Sequence, residues 1–494
     1  MSFTGTSFFL IVLSTILFYF AAPGKFRWII LLVSSCIFYY LSTGIPQFVL
    51  LLVTVGITFF AGIQIDRSED NKRKKKLYLN SAVILVLGIL TIIKLRNYVS
   101  LFSRVIVPLG VSYYTLSLIS YLVDVYVKKE KPELNFFKLL LYTIYFPKII
   151  QGPISKFREL GPKLIEAHPY SYDNLCCGVQ LIIWGYFKKL VIVERTAMLT
   201  GKLFPNITDY TEGGFALLFA IFLAAVSHYC DFSSYMDIVA GISQIMGIEL
   251  DKNFNLPFFS RSAAEFWRRW HITLGVWFKD YVYMPIVINP YVIRVSKWFR
   301  THLGKRAGKA VMTIIPTAAV WLLTGLWHGT GLNYIVWGSY WGTIILISNV
   351  FEPELKKITA LLRIDTEKGD WKLFQTIRTF FFFMIGFSIS TLFELKDLKF
   401  VFRIITKRFF FGRPLTRVFD QWGLDIDNFI FLMIAVLILW IVERNARDGS
   451  IRTKIAGLNA VPRWLIYASA LLLVFLLGVY GPGYSTAGFA YARF

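Results

Sequence analysis

Charge is scarce in this 494-residue chain: Asp, Glu, Lys and Arg make up 17% of it, against about 25% in soluble domains. Together with 56% apolar residues and 14 Trp, 26 Tyr and 46 Phe, that scarcity excludes a conventional soluble enzyme and a disordered chain alike. Cysteine is nearly absent. Cys36, Cys176, Cys177 and Cys230 show no paired metal-type spacing, so zinc-ribbon and disulfide-scaffold classes fall away, and the four read as small apolar residues. There is no P-loop, no G-x-S-x-G elbow and no H-E-x-x-H, which removes the motif basis for ATP-driven transport, serine hydrolysis and zinc chemistry. No solenoid-period repeat or low-complexity tract is present. Acids are few, 30 against 53 basic residues, giving a formal charge of +23. No nucleic-acid reader motif accompanies this excess, so it is assigned to loops facing an anionic leaflet rather than to nucleic acid.

Long uncharged apolar runs recur throughout. The first, about 8–22, lacks the basic n-region of a secretory signal, since residues 1–24 contain no Lys or Arg, and is expected to be retained. No charge occurs between Arg27 and Asp66, and the turn-like Ser42 to Pro46 divides this run into two spans. The cluster Lys72, Arg73, Lys74, Lys75, Lys76 follows, and Lys25 and Arg27 precede it, so both basic loops are expected in the cytoplasm and the N-terminus outside. Further spans are predicted near 79–95, 107–127, 136–150, 175–193, 213–230, 232–249, twice within 310–351, and near 377–393, 427–442 and 463–480, some of them re-entrant. Segment 294–309 carries six basic residues and no acid, again a cytoplasmic signature. The expected organisation is one membrane-embedded unit, 1–494, with N-terminal helices in 1–127, a catalytic core in 128–351 and C-terminal helices in 352–494.

Three segments carry chemistry. Wound as a helix, 266–281 gathers Phe266, Trp267, Trp270, Leu274, Trp277, Phe278 and Tyr281 on one arc, with Arg268 and Lys279 opposite and His271 at the border, as an interfacial amphipathic helix would. His328 lies in Trp321 to Gly331, inside a 42-residue stretch, 310–351, without Asp, Glu, Lys or Arg. A titratable group in such a run is costly and is a functional candidate by default. Gly325, Gly329 and Gly331 are expected to weaken the helix there. The third segment, His228 to Asp237, sets Asp231 and Asp237 six residues apart, hence on different helix faces, as a polar junction between spans rather than an acid dyad or metal site. His168 and His302 fall in polar loops and receive no role.

The blocks Tyr229 to Asp237, Asn253 to Phe258 and Glu265 to His271 resemble the membrane-bound O-acyltransferase (MBOAT) superfamily, and within it the AlgI-like alginate O-acetyltransferases. Phe146-Pro147, Gln151-Gly152-Pro153, Trp327-His328-Gly329 and the C-terminal Phe489 to Phe494 add to the resemblance, whereas Cys230 and Ser234 depart from the usual Phe and Gly. The resemblance implies an all-α polytopic integral membrane protein of the bacterial cell membrane, with roughly 10–12 transmembrane helices and re-entrant and interfacial helices around a central tunnel. It further implies transfer of an acetyl or similar acyl group to a hydroxyl of an extracytoplasmic polysaccharide, or to a secreted or membrane relay protein serving it. His328 is then the catalytic base and His271 its partner. The implied donor is acetyl-CoA or an acyl-carrier thioester, with no tightly bound cofactor and no metal. Two alternatives stay open at this stage: D-alanyl transfer to teichoic acid, and a lipid-linked-sugar transporter using His328, Asp231 and Asp237 as a proton relay.

Overall fold

Uncharged runs of about twenty residues can satisfy their backbone in a bilayer only as helices, and helices are what form. The computed structural model describes residues 5–96, 98–100, 107–447 and 451–480. Among the described residues nine helices are long and apolar enough to cross a membrane, or ten if the bent pair Leu332–Val350 and Glu352–Leu361 counts as one span. No strand occurs among them beyond the isolated bridge between Phe254 and Trp270. Helix Ala460–Leu477 buries no side chain, and Leu10, Leu13 and Leu17 of helix Thr6–Ala21 stand more than half exposed. Such faces would aggregate in water and suit lipid.

By packing, the described residues fall into two compact units: 5–185 with 234–252, and 186–233 with 253–480. The 489–494 stretch singled out in the sequence lies outside the described residues.

At the centre of the first unit is helix Val111–Tyr126, buried on nearly every face. Two of its buried serines return their hydroxyls to their own helix, Ser117 to the Tyr113 carbonyl at 3.3 Å and Ser120 to that of Ser117 at 2.7 Å. The predicted span at 136–150 is re-entrant instead. Helix Phe136–Ile144 has nine residues and rises about 14 Å, half of what a bilayer core of about 30 Å requires. Its entry lies where the Glu133 amide donates to the Tyr121 hydroxyl at 2.9 Å, near the C-terminal end of Val111–Tyr126. The chain reaches the opposite end of that helix, where a side chain on Gly110 would overlap the Ile149 carbonyl at 1.8 Å. It then returns, and Arg158 pairs with Asp124 at 2.9 Å.

The spans predicted at 213–230 and 232–249 are one 32-residue helix, Gly214–Ile245. The polar run 228–237 does not break it, because partners meet its side chains: Lys189 Nζ lies 2.8 Å from Asp231, Lys188 donates to Ser233 at 2.7 Å, Tyr229 donates to Glu443, and Tyr235 donates to the Pro147 carbonyl at 3.0 Å. Paired this way, polar groups are tolerated in a helix interior. The basic segment 294–309 forms the exposed amphipathic helix Pro290–Leu303, a left-handed turn at Gly304 (φ 90°), and the start of helix Lys305–His328.

Candidate active site

Both candidate histidines lie in the second unit, and each sits where a helix stops. The single helix expected over 266–281 is broken. Helix Ala263–Arg269 ends at Trp270, which is extended, and His271 adopts a left-handed conformation (φ 47°, ψ 52°) before helix Ile272–Phe278 begins. A left-handed non-glycine residue costs roughly 1–2 kcal/mol and persists only where its surroundings impose it. The imposing segment is 253–255. The Asn255 amide donates to the Arg269 carbonyl at 2.9 Å and the Ile272 amide to the Asn253 carbonyl at 3.0 Å. The Asn253 carboxamide oxygen accepts from the Thr273 amide at 3.1 Å and from the Thr273 hydroxyl at 2.6 Å. This strap grips the break from both sides. His271 is therefore turned inward, 2% exposed, rather than set at an interfacial border. Burial pushes its imidazole down to about 3, so it is neutral at physiological pH.

His328 is the last residue of helix Lys305–His328, with extended Gly329 (φ −176°) as its cap. The helix runs unbroken through Gly325. The glycines serve close approach instead: a Cβ on Gly325 would lie 2.5 Å from the Tyr334 carbonyl, and one on Gly338 2.4 Å from that of Trp321. Helix Leu332–Val350 thereby crosses close against Lys305–His328, and a Cβ on Gly329 would meet the Tyr334 ring at 2.1 Å.

Aromatic rings join the two histidines into one cluster. The His271 ring centroid lies 6.0 Å from that of Trp327, and Trp327 lies 4.9 Å from His328. On its other flank His271 meets Phe232 edge-on at 4.9 Å, while His328 meets Trp337 at 4.9 Å. Trp267 contacts Trp321, Trp337 and Trp341 at ring-centroid distances of 4.9, 5.6 and 5.1 Å, so helix Ala263–Arg269 is clamped to both Lys305–His328 and Leu332–Val350. Two buried imidazoles thus share the indole of Trp327 in a shell of edge-on aromatic contacts, which hold side chains to defined orientations.

The third segment divides. Asp231 belongs to a buried ion cluster, with Lys189 Nζ 2.8 Å from Asp231 and 3.3 Å from Glu194. Lys188, Lys189 and Glu194 sit at a π-helical turn, Phe187–Val193, whose sequence reads as the end of an ordinary apolar span. Asp237 belongs to the first unit. His228, a third imidazole and only half-buried, stacks on Trp270 at 5.8 Å and lies 4.9 Å from Phe387. Asn253 received no role of its own in the sequence reading, yet it fastens Ile272 and Thr273, the residues that follow His271, from eighteen positions upstream of that histidine. Among the described residues no cluster of His, Cys, Asp and Glu is arranged to hold a metal.

Comparison with known proteins places the chain in a family. Residues 35–294 match the membrane-bound O-acyltransferase (MBOAT) family. The chain is 26% identical over 389 residues to a probable alginate O-acetylase AlgI of Azotobacter vinelandii, covering 78% of this chain and 71% of that one. It is 27% identical to a peptidoglycan O-acetyltransferase of Helicobacter pylori, over 60% of each, and 30% identical to a teichoic acid D-alanyltransferase of Bacillus subtilis, over 57% of this chain and 68% of that one. The chain is a multi-pass bacterial membrane protein that belongs to the membrane-bound O-acyltransferase family.

Proposed function

We propose that His328 is the general base of an O-acyl transfer and that His271 orients or polarises the acyl donor. The observation that carries this reading is the pair of buried imidazoles held against one indole, Trp327. Acyl transfer to an alcohol requires the hydroxyl proton to leave as its oxygen attacks the thioester carbonyl. Neutral imidazole takes that proton, the C–O bond forms, the C–S bond breaks, and the departing thiolate recovers the proton as thiol. His271, neutral and left-handed at a fixed helix break, can offer a single ring N–H to the carbonyl oxygen without adding a charge.

The donor in this reading is acetyl-CoA or an acyl-carrier thioester, and the acceptor a hydroxyl of an extracytoplasmic polysaccharide or of a secreted or membrane relay protein. The names of the relatives, which act on alginate, peptidoglycan and teichoic acid, support a cell-surface glycan as the acceptor class. The 30% identity to the Bacillus subtilis protein supports D-alanyl transfer as the second reading. Purified protein incubated with labelled acetyl-CoA, acetyl-carrier or D-alanyl-carrier thioester and an acceptor glycan separates the two by which label reaches ester linkage. His271→Ala should lower turnover in the productive assay. Undiminished transfer by a folded His271→Ala protein would return that residue to packing alone.

A further inference from the structure

The re-entrant turn of the first unit holds polar side chains that nothing in the acyl-transfer mechanism uses. Every residue from Tyr145 to Lys156 is buried although none is helical, and irregular backbone at membrane depth survives only when protein encloses it or it lines a cavity. Its backbone is well supported. The Phe146 amide donates to the Ser35 hydroxyl at 3.1 Å, the Pro147 carbonyl accepts from Tyr235, and the Gly152 amide closes onto the Lys148 carbonyl at 2.8 Å. That last turn is tight enough that a Cβ on Gly152 would lie 2.4 Å from the Lys148 Cα.

Its side chains are in the opposite condition. Lys148 Nζ, both polar atoms of Gln151 and the Ser155 hydroxyl have no hydrogen-bond partner among the described residues, though the three residues are 4%, 0% and 1% exposed. Lys148 and Ser155 meet at one ring, and Gln151 lies between them in the same turn. Lys148 Nζ stands 4.0 Å above the Tyr142 ring, and the Tyr142 hydroxyl donates to the Ser155 carbonyl at 2.6 Å, tying the two arms of the turn together. Asp251 is the carboxylate that acts on this ammonium electrostatically, but none among the described residues accepts a hydrogen bond from it, and an aromatic face offsets only part of the cost of enclosing it.

What these groups lack defines what they would take. An ammonium supplies three N–H donors, a carboxamide two and a hydroxyl one, whereas a carboxylate offers about four acceptor sites. A phosphate ester, with its negative charge spread over more acceptor oxygens, matches the set better. We propose that the re-entrant turn binds a phosphate group through Lys148, Gln151 and Ser155. Two sources carry this chemistry: the thioester donor, since coenzyme A and carrier-bound phosphopantetheine are both phosphate esters, and a phospholipid headgroup. The donor source rests on the acyl-transfer reading above; the site itself does not.

The test uses full-length protein in detergent, with desulfo-coenzyme A as a non-reactive donor probe and phosphorus counting of co-purified lipid. Loss of one charge-assisted contact is expected to weaken binding about tenfold or more in Lys148→Met, with Lys148→Arg retaining part of it. Gln151→Glu, which places a carboxylate against the same anion, should weaken it comparably and stands in if Lys148→Met fails to fold. Weaker desulfo-coenzyme A binding with unchanged lipid assigns the site to the donor. Loss of co-purified phospholipid with unchanged probe binding assigns it to lipid. Wild-type probe binding and lipid content in both folded variants would overturn the site. His328→Ala protein serves as the control, because it should bind the probe normally, so failure of the base and failure of the phosphate site give different results.

Discussion

The two histidines reach similar burial by different means. His271 is held by hydrogen bonds: a distant strap, Asn253 to Asn255, grips the backbone on both sides of a left-handed residue. His328 is held by shape, at the end of a helix drawn against its neighbour through Gly325 and Gly338. A hydrogen-bonded break fixes a side chain's direction in spite of local strain, whereas a glycine crossing fixes its depth with no strain at all. Under the proposed roles, direction suits a group that orients a carbonyl, and depth suits a base shielded from water.

The sharpest way to break this comparison is to remove the proposed base. His328→Ala should lower acyl transfer about 10²–10⁴-fold while leaving donor affinity within a few-fold of wild type, because a proton acceptor is lost and no donor anchor is. Transfer rates and desulfo-coenzyme A binding, measured on the same preparation, check both halves. Wild-type transfer by folded His328→Ala protein would remove His328 from the mechanism.

The second test attacks depth. Gly338→Ala forces a methyl to within 2.4 Å of the Trp321 carbonyl, so the helices must separate, at a cost of about 1–3 kcal/mol. Its thermal midpoint in detergent should fall and its transfer rate with it. Gly201→Ala, where a methyl meets nothing within 4 Å, should leave the midpoint unchanged or raised.

These two regions also differ in how far the sequence discloses them. His328 is legible because it stands in a long uncharged stretch, where any imidazole is conspicuous. The glycines beside it are visible too, but a sequence cannot distinguish a glycine that weakens a helix from one that admits a neighbouring backbone. Around His271 the 3.6-residue periodicity is genuine on both sides of the break and conceals it, since the cause lies at Asn253. Likewise the polar run 228–237 reads as a junction because Lys188 and Lys189, which satisfy Ser233 and Asp231, are some forty residues away. Periodicity registers neighbours along the chain; these outcomes were decided by neighbours in space.

A smaller effect is expected at the strap. Asn253→Ala removes the oxygen that accepts from the buried Thr273 amide and hydroxyl, a loss of about 1–3 kcal/mol. If the strap positions His271, the transfer rate of Asn253→Ala should fall below that of a variant remote from His271 and matched to it in unfolding midpoint. Equal rates at equal stability would make Asn253 a residue of the fold only.

The smallest effect concerns charge at His271. Its imidazole titrates near 3 when folded and near the ordinary 6.5 when unfolded, so between these values the unfolded chain binds a proton that the folded one refuses. Stability is then fully present above about pH 6.5 and declines as pH falls towards 3, by up to about 1.4 kcal/mol per unit from this residue. His271→Asn removes the titration while keeping a side chain that accepts the left-handed conformation. Unfolding midpoints measured from pH 7.5 to 5, above the range where most carboxylates protonate, should fall less steeply for His271→Asn than for wild type. Parallel slopes would mean that His271 takes up its proton inside the folded protein, and that the aromatic shell around it admits water.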